Sequence, residues 1–156
     1  MSDQAQHEAR LGPWLRFLRA HAAVTRQLSA RLESHAGLTL SDFDVLAQLF
    51  HAPDRRLRRV DLARTVLLSA SGITRLLDGL ERAGWVEKAS CASDARVTYA
   101  VLTAAGEAKF SEARASHHAD IDELFGSRFS DDERAALSEL LGRLPMTEPV
   151  CESEKT

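Results

Sequence analysis

The chain contains no apolar run approaching the ~18 residues of a membrane-crossing helix. Its first ten residues, MSDQAQHEAR, are too polar for a secretory signal. The expectation is a cytoplasmic chain with no membrane partner. Cysteine is scarce: Cys91 and Cys151 lie far apart in the sequence, a usage that gives no sign of a disulfide framework. Also missing are a Gly-rich phosphate loop, a Gly-x-Ser-x-Gly elbow and an HExxH pair, so the chain reads as no enzyme and as requiring no cofactor. Neither an internal repeat nor a low-complexity linker interrupts the 156 residues. That length is about one domain and is enough to bury a core.

Charge of neither sign dominates, but its placement is uneven. From Arg55 to Arg96 nine basic residues stand against five acidic ones, a net of +4, so within the total of −3 the remainder carries −7. A basic reading surface on an acidic scaffold has this distribution, and so does an ordinary solvated face; charge alone leaves both open.

The stretch from Ser69 to Arg96 organises the rest. Ile73, Leu76, Leu77 and Leu80 recur at the spacing of one buried helix face, while Ser71, Thr74, Arg75 and Asp78 occupy the other. Gly84 suits a left-handed C-cap. Trp85 and Val86 begin a strand, residues 87–96 make a polar excursion, and Val97, Tyr99 and Val101 alternate with Thr98 and Ala100 in a returning strand. A polar-faced helix followed by a ribbon with Arg96 near its tip fits a major groove and the flanking minor groove of double-stranded DNA.

Around this stretch, residues 1–10 read as a polar tail. A long helix starts at Leu11 with Pro13 in its first turn, and Leu11, Trp14, Leu15, Leu18, Ala22, Leu28 and Leu32 form its stripe up to Gly37. Ser41 with Asp44 reads as the cap of the next helix, whose buried face is Phe43, Val45, Leu46, Leu49 and Phe50. Pro53-Asp54 ends it, and Arg55, Arg56, Arg58 and Arg59 read as a loop. A short helix over Val60 to Leu67 then precedes the helix from about Ala70 to Ala83, the tight pairing of a helix-turn-helix. Thr103 caps a further long helix with Phe110, Ala113, His117, Ile121, Leu124 and Phe125 on one face. Ser130-Asp131-Asp132-Glu133 is a capping box for a last helix to Leu144, and an acidic tail follows Pro145.

This order, with SASGITRLLDGLERAGWVEK, the wing element Ser93-Asp94-Ala95-Arg96 and LTAAGE from Leu102 to Glu107, resembles the MarR family of winged-helix transcription regulators over about 11–144. The resemblance implies a mainly α fold with a small β-wing. A winged helix over about 41–103 is flanked by dimerisation helices at about 11–36 and 104–144, leaving 1–10 and 145–156 as tails. It implies a homodimer in which each subunit reads half of a pseudo-palindrome. It also implies a repressor released by a small effector, commonly an anionic aromatic. The long apolar stripes at both ends of the chain and the geometry of two-fold sites agree with that.

Ser69, Ser71 and Thr74, near the start of the recognition helix, can hold phosphates or base edges. Arg75 can read a base, with pairing to Asp78 or Asp44 as the alternative. In the family pattern the wing arginine enters the minor groove and a nearby aspartate orients it, positions matched here by Arg96 and Asp94. Lys88 and the arginine group that includes Arg58 are assigned to phosphates. The effector cleft, placed by resemblance between the dimer helices and the reading lobe, has Trp14, Phe17, His21, Phe43, Asp44 and His51 as candidates; the same side chains also suit an ordinary core. Trp14, Asp44 and Arg75 resemble the urate-responsive subgroup, but Ala52 departs from it, which leaves the effector's identity open. Cys91 invites oxidant sensing and His117-His118 invite zinc, as in some relatives. No metal site is assigned, because His117 lies on the apolar stripe and adjacent helical residues diverge. The rival reading is a winged helix that binds protein without reading DNA.

Overall fold

Leu32, Leu46, Leu49, Leu62, Leu77 and Leu80 come from four different helical segments and are buried in one core. Removing each such side chain from water contributes about 1.5–3 kcal/mol, which makes their common burial the main force on the topology. The computed structural model describes residues 3–66, 70–91, 93–94 and 96–145. Helix α1 (Asp3–Ala36) leads to α2 (Leu40–His51), a 3-10 turn at Pro53–Arg55, strand β1 (Arg56–Arg58) and helix α3 (Arg59–Thr65). The recognition helix α4 (Ala70–Arg82), strands β2 (Val86–Ser90) and β3 (Thr98–Leu102), and helix α5 (Ala104–Leu124) follow. A second 3-10 turn at Gly126–Arg128 precedes α6 (Asp131–Leu141). The three strands form one antiparallel sheet in the order β1-β3-β2. The fold is mainly helical with a small wing, as the sequence pattern predicts.

Several boundaries differ from those expectations. The first helix begins at Asp3 rather than Leu11, because Gln4, Ala5, Gln6, Glu8, Ala9 and Arg10 are good helix formers and continue its turns. Helix α2 is capped by Thr39, not Ser41: the Thr39 hydroxyl accepts from the Asp42 amide, and the Asp42 carboxylate accepts from the Thr39 amide. Leu38, fully buried, fixes the chain's entry two residues earlier than the Ser41 frame. The expected arginine loop is instead a tight corner and a strand. Asp54 and Arg55 take left-handed φ values of 54° and 56°, strained for non-glycine residues. Arg55 is held there over the Phe50 ring, 4.0 Å from its centroid, and 3.4 Å from Glu107 of α5. Arg56, Leu57 and Arg58 then pair with Val101, Ala100 and Tyr99. Three residues with one inward side chain are too short to show an alternating period.

The expected caps of α5 and α6 are present. The Thr103 hydroxyl accepts from the Gly106 amide, and Ser130 forms a capping box with Glu133. Thr103 also ties the end of the recognition helix to the start of α5. Its hydroxyl donates to the Gly84 carbonyl at 2.7 Å and its amide donates to the Trp85 carbonyl at 3.1 Å. Gly84, at φ +77°, makes the turn, and Gly106 permits the approach, since a Cβ there would lie 2.0 Å from the Trp85 carbonyl oxygen.

Candidate DNA-reading surface

Helix α4 turns Ile73, Leu77 and Leu80 into the core, which leaves Arg75 exposed on the opposite face. Arg75 makes no hydrogen bond or ion pair with any of the described residues. Neither alternative partner takes it: Asp44 lies on α2, and Asp78 is engaged elsewhere. Thr74 accepts a hydrogen bond of 2.5 Å from the Arg59 guanidinium, which bridges α3 to the recognition helix. Ser69 lies outside the described residues, as does the Ser71 side chain.

The wing supplies the second half of the surface. The Cys91 amide donates to the Val97 carbonyl, and the Val97 amide to the Asp94 carbonyl, both at 3.1 Å. The Asp94 carboxylate accepts from the Arg96 amide at 2.9 Å. Asp94 thus orders the turn that carries Arg96 through the backbone, and the exposed Arg96 guanidinium has no partner among the described residues. The two candidate arginines sit on separate supports, one a helix and one a hairpin.

Between these supports lies an open cleft of about 570 Å³. Arg58, Arg59, Arg64 and Arg96 line it with Thr74, Thr98 and an apolar floor that includes Ile73 and Val97; among the described residues no carboxylate lines it. Four guanidiniums along one cleft concentrate positive potential where a phosphate backbone would pass, with Asp61 near Arg58 and Asp78 near Arg59 as partial counter-charges. Arg58 reaches this cleft from β1, and its hydrogen bond to Tyr99 raises its pKa further. Lys88 is placed differently. Its ammonium lies 2.7 Å from Asp78 Oδ1 and 2.9 Å from Glu81 Oε2, so β2 is strapped to the recognition helix. These pairings, and the Arg59 bridge to Thr74, are missed by sequence reasoning. The visible signal was an acid pair spaced i, i+3 on the exposed helix face.

The six cleft candidates fall into two groups. Trp14, Phe17 and His21 stack along the exposed outer face of α1 with centroids 6.1 and 6.3 Å apart. Phe43 and His51 belong to a cluster around Phe110, where Phe43 lies 5.1 Å from Phe110 and 4.5 Å from His117. No ring contact joins the groups among the described residues. Asp44 is half-buried, and that burial raises its carboxyl pKa. Of the six, His21 borders an open groove along α1 with Thr25, Ser29 and Leu40. His117 is buried against Phe43 with its pKa lowered by that burial, whereas His118 is exposed, so the two imidazoles diverge. Cys91, half-buried, lies 3.1 Å from the Ser93 hydroxyl, a hydrogen bond that lowers the thiol pKa. Cys151 is outside the described residues.

The MarR family model matches residues 36–97, from the end of α1 through the wing turn. A MarR family transcriptional regulator from Silicibacter pomeroyi is 31% identical with a TM-score of 0.69, covering 91% of this chain and 96% of that one. The chain belongs to the MarR family. HTH-type transcriptional repressor YetL of Bacillus subtilis (strain 168) is 33% identical over 108 residues, 69% of this chain and 64% of YetL. A mutant MarR from E. coli, solved in complex with operator DNA, is 27% identical with a TM-score of 0.75; the match covers 92% of this chain and 100% of that one. This MarR-family chain is a DNA-binding transcription regulator of the winged helix-turn-helix type, not an enzyme. No helix among its described residues is long and apolar enough to cross a membrane.

Proposed function

We propose that this MarR-family regulator is a cytoplasmic homodimeric repressor that reads a pseudo-palindromic operator and leaves it on binding a small anionic aromatic effector. The observation that carries the reading is a pair of exposed arginines whose guanidiniums have no partner among the described residues, Arg75 on the recognition helix and Arg96 in the wing turn, the latter lining a cleft with Arg58, Arg59 and Arg64. Arg75 reads a base edge and Arg96 enters the minor groove. Thr74, Arg58 and the other cleft arginines face phosphates. YetL, a repressor by name, supports the direction of regulation, and the operator complex of the E. coli protein supports the reading of DNA.

Dimerisation is supported by apolar surface that one chain leaves uncovered. Trp14 of α1 and Leu140 of α6 are each 54% exposed, Leu15 and Leu18 lie beside Trp14, and α6 buries no residue within its own chain. Exposed apolar surface on the first and last helices of a small chain is what a second copy covers. An effector that lodges near the α1 aromatics would meet the stacked surfaces of Trp14, Phe17 and His21.

Duplex binding as a function of salt tests the reading. Affinity is expected to fall by roughly 0.9 log units per log unit of salt for each phosphate neutralised. Weak dependence, or no binding, would favour a winged helix that serves a protein partner. Addition of a panel of aromatic carboxylates to the complex is expected to release DNA; a complex indifferent to all of them would contradict the effector class.

A further inference from the structure

We propose that Lys88 is a positioning residue for DNA reading: by holding Asp78 and Glu81 it keeps Asp78 away from Arg75, leaving that guanidinium available to a base. The proposal rests on the DNA reading above and assigns Lys88 a task other than binding phosphate.

On a bare helix Arg75 and Asp78 would be natural partners, since residues three apart lie side by side on the surface. In the structure the partnership does not form. The Asp78 carboxylate accepts from Lys88 at 2.7 Å, and Arg75 has no partner among the described residues. The sheet explains why Lys88 prevails. Lys88 lies two residues after the buried Val86 in β2, so both side chains point to the face that covers α4. Pairing of Lys88 with Ala100 in β3 fixes that position. From there one ammonium, with three donors, reaches both Asp78 and Glu81, which stand one turn apart. Arg75 is six positions from Glu81 and does not share its face, so it could compete only for Asp78. Arg82, four positions beyond Asp78, donates to the Asp78 backbone carbonyl at 3.2 Å and leaves the carboxylate to Lys88.

Loss of the Lys88 charge frees Asp78 to capture Arg75, which must then abandon a partner before it can read. Exposed pairs of this kind correspond to a change of about two- to five-fold. The proposed effect is on discrimination, the ratio of affinities for the preferred and substituted base at the position Arg75 reads. A phosphate contact would instead weaken every sequence alike and lower the salt slope by about 0.9.

The test uses the full chain and the duplex it selects from a random pool, together with that duplex altered at the base whose preference Arg75→Ala relaxes. Lys88→Met is expected to reduce discrimination by about two- to five-fold with the salt slope unchanged. Lys88→Met/Asp78→Asn is expected to restore it, Lys88→Arg to preserve it, and Lys88→Met to cause no further loss of discrimination in the Arg75→Ala background. A uniform loss with a reduced slope and no rescue by Asp78→Asn would overturn the proposal in favour of a phosphate contact. Parental discrimination in Lys88→Met would overturn it as well. If the parent selects no sequence, the DNA reading itself fails and this proposal with it.

Discussion

Arg75 and Arg96 are alike in charge and exposure but differ in what they can report. On the proposed reading α4 would present Arg75 to base edges, where a bidentate contact with guanine contributes about 1–3 kcal/mol of discrimination. The wing turn would offer Arg96 to the minor groove, whose pattern of donors and acceptors is degenerate. Arg75→Ala is therefore expected to weaken binding and to flatten preference at one position of each half-site. Arg96→Ala is expected to weaken binding to most sequences. Titration of each variant against the selected duplex and its single-base substitutions separates these outcomes; parental behaviour in both would remove the assignment. Gly106 illustrates a different kind of dependence. A Cβ at that position would lie 2.0 Å from the Trp85 carbonyl and 2.8 Å from Leu102, so the end of the wing and the start of α5 would have to separate. Gly106→Ala is expected to cost about 1–3 kcal/mol. Thermal melting would register that at about 2–4 °C per kcal/mol for a chain of this size, and an unchanged midpoint would show that the joint can relax.

At the level of elements, α1 and α5 are pinned by one arginine. Arg31 donates to Asp120 at 2.8 Å and to both oxygens of Glu123 at 2.9 Å. Its guanidinium holds the Glu123 carboxyl below the ordinary glutamate range. A depressed folded-state pKa contributes stability above the unfolded value of about 4.3, and this is lost as pH falls through the folded value. Glu123→Gln is accordingly expected to melt below the parent at pH 7, with the gap closing once both chains are well below pH 4. A gap that persists in acid would place the effect in packing, not charge.

These same elements show which parts of the fold could be read in advance. The recognition helix, the Thr103 and Ser130 caps and the turn at Gly84 were legible because each is encoded by neighbours within a few residues. Strand β1 was not, since Arg56-Leu57-Arg58 offers one inward side chain and acquires strand character only by pairing with β3. The choice between Thr39 and Ser41 as cap was ambiguous for a related reason: both begin an S/T-x-x-D frame, and burial of Leu38 selects between them. The surface followed the same rule. The exposure of Arg75 and Arg96 follows from their positions on the helix and in the wing turn, but the engagement of Lys88 with Asp78 and Glu81 depends on where the sheet places β2. Phe43 was legible as an aromatic on a buried face, whereas its contacts with Phe110 and His117 follow from the packing of α5.

For the whole molecule, the single chain is asymmetric in what it covers. Its reading lobe has a closed core, while Leu11, Trp14, Leu15, Phe17 and Leu18 at one end and Leu140 and Leu144 at the other remain exposed. A second copy would cover these surfaces and set two recognition helices about one DNA turn apart, roughly 34–36 Å. Sedimentation is expected to find a dimer at micromolar concentration, and Leu15→Asp/Leu140→Asp is expected to shift it toward monomer while the helical spectrum is kept. A monomeric parent would contradict the dimeric account. Selection of bound duplexes from a random pool at near-physiological salt tests the central claim most directly. A dimeric reader is expected to recover one inverted repeat with half-sites about one helical turn apart. Recovery of an unrepeated motif, or of no motif, would contradict a symmetric reader of DNA.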